Sequence, residues 1–379
     1  MNKPLGIYIH IPFCVKRCAY CDFYSGADIS LSAEYKNALI KHIRSYKDLH
    51  LTADTVYFGG GTPTYFGSDG LCDILKCIFD TFCVLPNAEI SAECNPNTAS
   101  TDAFKRMHSC GFNRLSIGIQ SFSDRELSHL CRAHSASDGI NTVKAAKKAG
   151  FDNISCDLMF GIPDQSIHSF SESLDRLLSL DITHASSYIL KLEEHTEMYA
   201  RKDSYAFPSE DEICDMIQMC RERMEHYGMH RYEISNYAKS GFESRHNLKY
   251  WNRNEYLAFG PSASGFYNGI RYTFTPDIKK YISFANGKIS LDDALCEKET
   301  PSQNDAVSEY LMLSLRLVCG VDKGEFKKRT GKDLDCEYGD KVAPYIKGGF
   351  MESDTHLRFT SKGFDVSNAI LSDILDFDG

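Results

Sequence analysis

The sequence is short of several things, and each shortage closes off a class. Gly and Pro number 26 and 11, together 37 of 379 residues, too few for a collagen-like or Pro/Gly-rich disordered chain. No apolar run reaches the roughly 18 residues that a membrane helix needs. The opening residues lack the apolar core and small-residue cleavage site of a secretory signal, so a cytoplasmic protein is expected. Positive charge is not in excess. There are 42 basic and 52 acidic side chains, net −10, which argues against nucleic acid as a partner. What remains is ordinary globular composition, 42% hydrophobic and 25% charged, with length for two or three domains.

Cysteine, by contrast, is plentiful at 15. The number is odd, the chain is large and no export signal is visible, so a disulfide framework is not expected. Twelve of them, among them Cys72, Cys77, Cys110, Cys156, Cys220 and Cys319, are scattered through apolar stretches and read as small buried hydrophobes. Cys14, Cys18 and Cys21 stand apart because they fall within eight residues of one another.

The first half has a repeating rhythm. Short runs rich in Val, Ile, Phe and Tyr predict strands at 6–11, 55–58, 89–93, 114–119, 153–159 and 184–190. Amphipathic stretches predict helices between them at 32–49, 68–82, 101–110, 137–149 and 166–179. Gly111, Gly150 and Gly228 each follow a predicted helix, where a left-handed cap is usual. Such alternation implies an α/β fold with a mostly parallel sheet, either open and doubly wound or curved like a barrel. Both put ligands at the carboxyl ends of the strands. A helix capped by Ser209 is predicted over 208–227, then an aromatic, Gly-rich, strand-like stretch over 231–274. The last segment, 302–379, predicts helices at 305–318 and 364–375 around a short strand at 357–360, a small α+β helix–wing-like module. Residues 301–379 carry 10 basic and 14 acidic side chains, net −4, which disfavours a DNA-reading wing.

The strongest chemical signal is Cys14-Val15-Lys16-Arg17-Cys18-Ala19-Tyr20-Cys21, a C-x3-C-x2-C run. Thiolates hold soft metal centres, and iron–sulfur clusters are normally bound by cysteines. Three close cysteines without an obvious fourth suit a cubane with one iron left open to a small molecule. Zinc is the competing metal, although structural zinc takes four protein ligands in paired spacing. The second motif, Gly59-Gly60-Gly61-Thr62-Pro63-Thr64, falls at a predicted strand end, where missing side chains let backbone approach a ligand. It lacks the Lys of a P-loop.

With these residues in view, Tyr8-Ile9-His10-Ile11-Pro12-Phe13-Cys14 through Cys21 resembles the radical S-adenosylmethionine (SAM) superfamily. More narrowly it resembles the branch containing oxygen-independent coproporphyrinogen III oxidases and the HemW heme chaperones. The resemblance covers most of the chain. It implies a partial (β/α)6 TIM-like barrel, a [4Fe-4S] cluster on Cys14, Cys18 and Cys21, and SAM chelating the fourth iron. It further implies Tyr8, Tyr20, Gly60, Gly61, Thr62, Glu93, Gln120, Arg132 and Asp157 as SAM-site residues. Acids, an amide and one Arg suit a ligand that carries an ammonium, a carboxylate, a sulfonium and a ribose.

Two departures set the chain apart from the oxidases. Those have a fourth cysteine one residue beyond the third, where Phe23 stands here, and a longer segment before the motif than the thirteen residues preceding Cys14. A third motif, Arg245-His246-Asn247-Leu248-Lys249-Tyr250-Trp251, holds the only Trp and is similar to the H-N-x-x-Y-W signature of the chaperone branch. There it implies a role for His246 in binding heme, with Tyr250 and Trp251 as an apolar wall. The alternative is a satisfied His beside core aromatics. The resemblance thus implies three cofactors (the [4Fe-4S] cluster, SAM and heme), heme-accepting respiratory proteins as partners, and a reduced flavodoxin or ferredoxin as electron donor. Peripheral membrane association and a homodimer stay open. Residues 1–205 are expected to form the barrel, 206–295 a barrel-closing extension and 296–379 the C-terminal domain.

Overall fold

The computed structural model describes residues 3–26 and 28–375; the extreme ends of the expected first and last domains, 1–2 and 376–379, lie outside them. The six predicted strands are all present: β1 Leu5–Ile11, β2 Thr52–Gly60, β3 Cys83–Cys94, β4 Arg114–Gln120, β5 Asn153–Phe160 and β6 His184–Ile189. They lie side by side in chain order, each parallel to the next. A doubly wound sheet would reverse its order at a switch point. This order never reverses, so every crossover winds the same way and the sheet curls into a partial barrel. The returning helices are Ser32–Arg44, Ser68–Thr81, Thr101–Cys110, Ala136–Lys148 and Ile167–Ser179.

The barrel does not close on itself. Beyond β6 the sheet continues antiparallel into β8 (Asn236–Ala238) and β7 (His230–Arg231). Beyond β1 it continues into β9 (Tyr256–Phe259, parallel) and then β10 (Ser264–Tyr267), β11 (Ile270–Phe274) and β12 (Leu295–Glu299), antiparallel. The sheet thus runs to Glu299, past the expected boundary at 295/296.

Strand alternation splits the residues into two sets. Ile7, Ile9, Val56, Phe58, Ile90, Ala92, Leu115, Ile117, Ile154, Cys156 and Leu158 face the helices and form the main core. The opposite, inward face carries Thr55, Tyr57, Glu89, Ser91, Glu93, Arg114, Ser116, Gln120, Ser155, Asp157, His184 and Tyr188. A barrel interior filled for stability is dominated by Val, Ile and Leu in layers. This one is polar, so the interior is built to hold something other than itself.

The C-terminal segment has its own core, including Leu311, Leu315, Phe326, Leu357 and Ile374. Its helices Gln303–Ser314, Lys323–Thr330, Leu334–Lys347, Ser361–Asp365 and Ser367–Ile374 pack with a small antiparallel sheet of β13 (Val321–Asp322), β14 (Met351–Ser353) and β15 (His356–Phe359), β15 in the middle. The predicted 305–318 and 357–360 elements are there; the two helices between them were not anticipated, and the predicted 364–375 helix is broken in two at Val366.

Three further expectations need correction. The 32–49 helix ends at Arg44, and a short 3-10 turn, Lys47–Leu49, follows. The strand-like 231–274 stretch contains a helix, Arg245–Trp251, seven residues long and too short to show a helical period in sequence. Its first N–H groups are capped from outside: Glu89, on β3, accepts from the backbone N–H of Arg245 and of His246 at 3.0 Å each. Finally, of the twelve scattered cysteines, Cys83, Cys214, Cys296, Cys319 and Cys336 are exposed rather than buried. Cys72 and Cys110 form a disulfide between neighbouring helices, with Cα atoms 5.8 Å apart.

Candidate functional site

The cysteine loop leaves β1 and is locked to the glycine loop that leaves β2. Gly61 N–H donates to Ile11 O at 2.8 Å and Thr62 N–H to Phe13 O at 2.7 Å. A Cβ on Gly61 would stand 2.7 Å from Phe13 O and 2.8 Å from Ile11 O. The glycine is therefore needed first for the two loops to meet. Gly60 has φ +105°, and a Cβ there would run into the His10 ring at 2.6 Å. Within the cysteine loop, Cys21 N–H closes a turn onto Cys18 O at 3.2 Å, and the Arg17 guanidinium holds Cys21 O at 3.0–3.2 Å. Ala19 is pinned on both sides, donating to Leu130 O and accepting from Met198 N–H.

The three thiols border a cavity of about 150 Å³ at the carboxyl ends of the strands. Tyr20, Gly60, Gly61, Glu93, Gln120, Arg132 and Asp157 line the same cavity. Ten of the thirteen predicted site residues are thus brought together from six loops and strand ends. Thr62 lies just behind, its hydroxyl 3.3 Å from Cys14 Sγ. Arg132 ties the cavity wall together: its Nη1 donates to Cys18 Sγ at 3.4 Å, and its Nη2 donates to Asn95 Oδ1 at 2.7 Å and to Gly118 O. Asn95 in turn donates to Thr62 Oγ1 at 2.7 Å.

The electrostatics are unusual for a surface cleft. Glu93 is half-buried on the cavity wall, accepting from Tyr57 Oη at 2.9 Å and from Gly60 N–H at 3.2 Å, yet desolvation raises its carboxyl from 4.5 to about 7. Burial likewise raises Asp157 from 3.8 to about 6. Two carboxyl groups held near neutrality beside an arginine are poised to meet a cation.

The donor set also discriminates between metals. Among the described residues no three His, Cys, Asp or Glu side chains converge tightly enough for one metal ion. Three thiols spread along one cavity wall fit a multi-iron cluster, each thiolate taking a different iron, better than a tetrahedral zinc. Cys94 borders the cavity as well, but its Sγ is turned to Asn95 O and Thr98, and burial pushes its thiol up to about 11.

Two predicted residues are not at the site. The Tyr8 hydroxyl meets His10 Nδ1 at 3.2 Å, and its ring lies against Tyr57 rather than on the cavity. His246 is a larger correction. The helix that carries it closes the opposite, amino-terminal end of the barrel, where Lys249 Nζ donates to Pro4 O at 2.8 Å and pairs with Asp54 at 2.6 Å. His246 is fully buried there. Its Nδ1 bonds Thr55 Oγ1 at 2.8 Å, its Nε2 bonds Tyr250 Oη at 2.7 Å, and its ring stacks on Tyr57. Burial lowers its pKa from 6.5 to about 3. With both nitrogens taken and no exposed atom, it has nothing to offer an iron. Tyr250 packs on Tyr256 and His246, and neither Tyr250 nor Trp251 borders the cavities described here. The H-N-x-x-Y-W segment reads here as the plug of the barrel floor.

The small cavity opens into a second of about 520 Å³ that fills the polar interior, sharing Tyr20, Cys21, Phe23, Glu93, Ser116, Asp157 and Tyr188. Its depth brings in residues that sequence reasoning missed: Tyr57, Arg114, Tyr188, Asn236 and Asn247. Asn247, not His246, is the member of the floor helix that reaches ligand space. Arg114 is fully buried with no hydrogen-bond partner for its Nε. Only inward alternation along the predicted strands could have pointed to Tyr57, Arg114 and Tyr188.

Comparison with known proteins bears on the family and the fold. The model of the radical SAM superfamily matches residues 8–177, and that of the HemN C-terminal domain matches 302–366. The heme chaperone HemW of Bacillus subtilis is 33% identical over 384 aligned positions, covering 97% of this chain and 98% of the relative. That of Haemophilus influenzae is 35% identical, with 86% of each covered. That of Escherichia coli is 30% identical, with 97% of each covered. In fold, the chain is similar to coproporphyrinogen III oxidase (HemN) from Escherichia coli, a radical SAM enzyme, at TM-score 0.85 and 22% identity over 98% of this chain and 90% of that one.

Proposed function

The chain belongs to the radical SAM superfamily and, within it, to the HemW family, and on that premise we propose that it is a cytoplasmic heme chaperone, one that holds heme, a [4Fe-4S] cluster and SAM and delivers the heme to respiratory hemoproteins. The single observation behind this reading is the length of the likeness: relatives named as heme chaperones match end to end at 30–33% identity, through both the barrel and the C-terminal domain. Phe23 supports it. It stands where the oxidase branch has a further cysteine, and it is 69% exposed at the mouth of the site.

Cys14, Cys18 and Cys21 would hold the cluster, which when bound supplies an open iron and an electron from a reduced flavodoxin or ferredoxin. The chain's own residues do the rest. Glu93 receives the SAM ammonium beside the Gly60–Gly61 backbone, Arg132 offers its guanidinium to the carboxylate or ribose, and Gln120 and Asp157 accept from ribose hydroxyls or the exocyclic amino group of the adenine.

The test is one anaerobic preparation with the cluster loaded. Saturable heme binding by absorbance, and transfer of that heme to an apo-hemoprotein, are expected. Coproporphyrinogen III with SAM and a reductant should remain unchanged. Conversion to protoporphyrinogen with no heme transfer would overturn the chaperone reading.

A further inference from the structure

With His246 sealed in the barrel floor, heme must sit elsewhere, and one cleft has the chemistry for it. It lies outside the barrel, between the end of β6, the helix Glu210–His226 and the C-terminal helices Ser361–Asp365 and Ser367–Ile374. We propose that this cleft is a binding site for a flat apolar ring bearing carboxylates, a porphyrin dicarboxylate, which rests on the heme reading above for the identity of the ring. The cleft holds about 550 Å³, within the range of small-molecule sites. Its walls include Phe160, Ile189, Ile217 and Phe364. Ile189 is 47% exposed, an apolar side chain that the described residues leave half uncovered.

Two guanidiniums border the same cleft, those of Arg231 and Arg316. Arg231 is preorganised. Its Nε and Nη2 donate to Glu233 O at 3.1 Å and Ile234 O at 2.5 Å, and its plane rests 4.6 Å over the Phe364 ring. Arg316 is steadied by Asn368 Oδ1 at 3.1 Å. Among the described residues neither is in an ion pair, and each keeps N–H groups with no protein acceptor. Asp365, which lines the cleft, is exposed, and Glu233, fully buried and not in the lining, is a second carboxylate whose charge both guanidiniums feel without an ion pair to either. An apolar slot bordered by two fixed guanidiniums that keep spare N–H donors is complementary to a hydrophobic ring with two carboxylates. The cleft is next to the SAM site: Tyr188 lines it, the barrel interior and the cluster cavity alike, and donates to Gln120 Oε1 at 2.9 Å.

Because the ring and its carboxylates are recognised rather than the iron, metal-free protoporphyrin IX is the sharpest probe. Full-length, cluster-loaded protein is titrated with heme, protoporphyrin IX and its dimethyl ester, as wild type, Arg316→Gln and Ala369→Trp. Ala369 lines the cleft and is exposed, and neither of these side chains holds backbone, so both variants should keep wild-type melting and iron content. Heme and protoporphyrin should bind wild type with similar affinity. Arg316→Gln and Ala369→Trp should each weaken both by roughly tenfold or more, and the ester should bind wild type as weakly as the acid binds Arg316→Gln. Wild-type affinity for protoporphyrin in both variants would overturn this site and leave the heme reading standing, as would binding of heme but not of protoporphyrin. Failure of wild type to bind either ring would overturn the heme reading, and the site with it.

Discussion

Replacing Glu93 by Gln should stabilise the ligand-free protein at pH 8 while weakening its hold on SAM. In the fold this carboxyl titrates at about 7 instead of 4.5, mainly because it is desolvated. A raised acid means the native state binds the proton more tightly than the unfolded chain. Below pH 4.5 both states are protonated and burial of the carboxylate costs nothing. Between pH 4.5 and 7 stability falls as pH rises, and above 7 the cost is constant. Titration at about 7 in place of 4.5 corresponds to about 3 kcal/mol. Gln removes the charge but can accept from only one of Tyr57 Oη and Gly60 N–H, forfeiting about 1 kcal/mol. The net expectation is a variant about 2 kcal/mol more stable at pH 8 and within about 1 kcal/mol of wild type at pH 5. Urea unfolding of the cluster-free protein at the two pH values, followed by the lone Trp251, measures this; Trp251 sits in the floor helix and reports the barrel. A variant no more stable than wild type at pH 8, or a stability gap that does not change with pH, would refute the electrostatic account of the site.

Changing Cys14, Cys18 and Cys21 together to Ala should abolish iron uptake and the brown absorbance on anaerobic reconstitution; four irons retained would mean that other cysteines bind the cluster. Arg132→Ala should weaken SAM binding roughly 10- to 150-fold by calorimetry, because a charge-assisted bond contributes about 1.5–3 kcal/mol, and unchanged affinity would remove Arg132 from the SAM site. Gly61→Ala forces a Cβ to within 2.8 Å of two carbonyl oxygens and should lower stability by about 1–3 kcal/mol and impair cluster loading. Gly339→Ala, in the helix Leu334–Lys347, has ordinary helical backbone and a Cβ that meets nothing within 4 Å, so it should spare the cluster, and equal cluster loss in both would argue against the loop lock. His246→Ala strands Thr55 Oγ1 and Tyr250 Oη and leaves a cavity, for a loss of about 2–4 kcal/mol in thermal or urea unfolding; the folded variant should keep wild-type heme affinity, and a stable variant that has lost heme would restore His246 as a ligand.

The sequence alone determined the elements whose signal is local. All six parallel strands follow from short Val/Ile/Phe/Tyr runs, and Thr101–Cys110 is predicted to the residue, because an apolar period and a Ser100 cap sit in one continuous stretch. The cysteine and glycine motifs were legible for the same reason: each is a contiguous run whose chemistry does not depend on its neighbours in space. Tertiary structure decided the rest. It turned a sequential strand order into a curled sheet with a polar interior and placed Arg114, Tyr188 and Asn247 around one cavity. It also showed that Gly61 serves the meeting of two loops. The fate of His246 makes the division plain. Its motif is readable as letters, but whether its imidazole is free depends on Thr55 and Tyr250 and on a helix capped by Glu89, 157 residues away in the chain. Burial and hydrogen-bond satisfaction are properties of packed neighbours, and no local pattern encodes them.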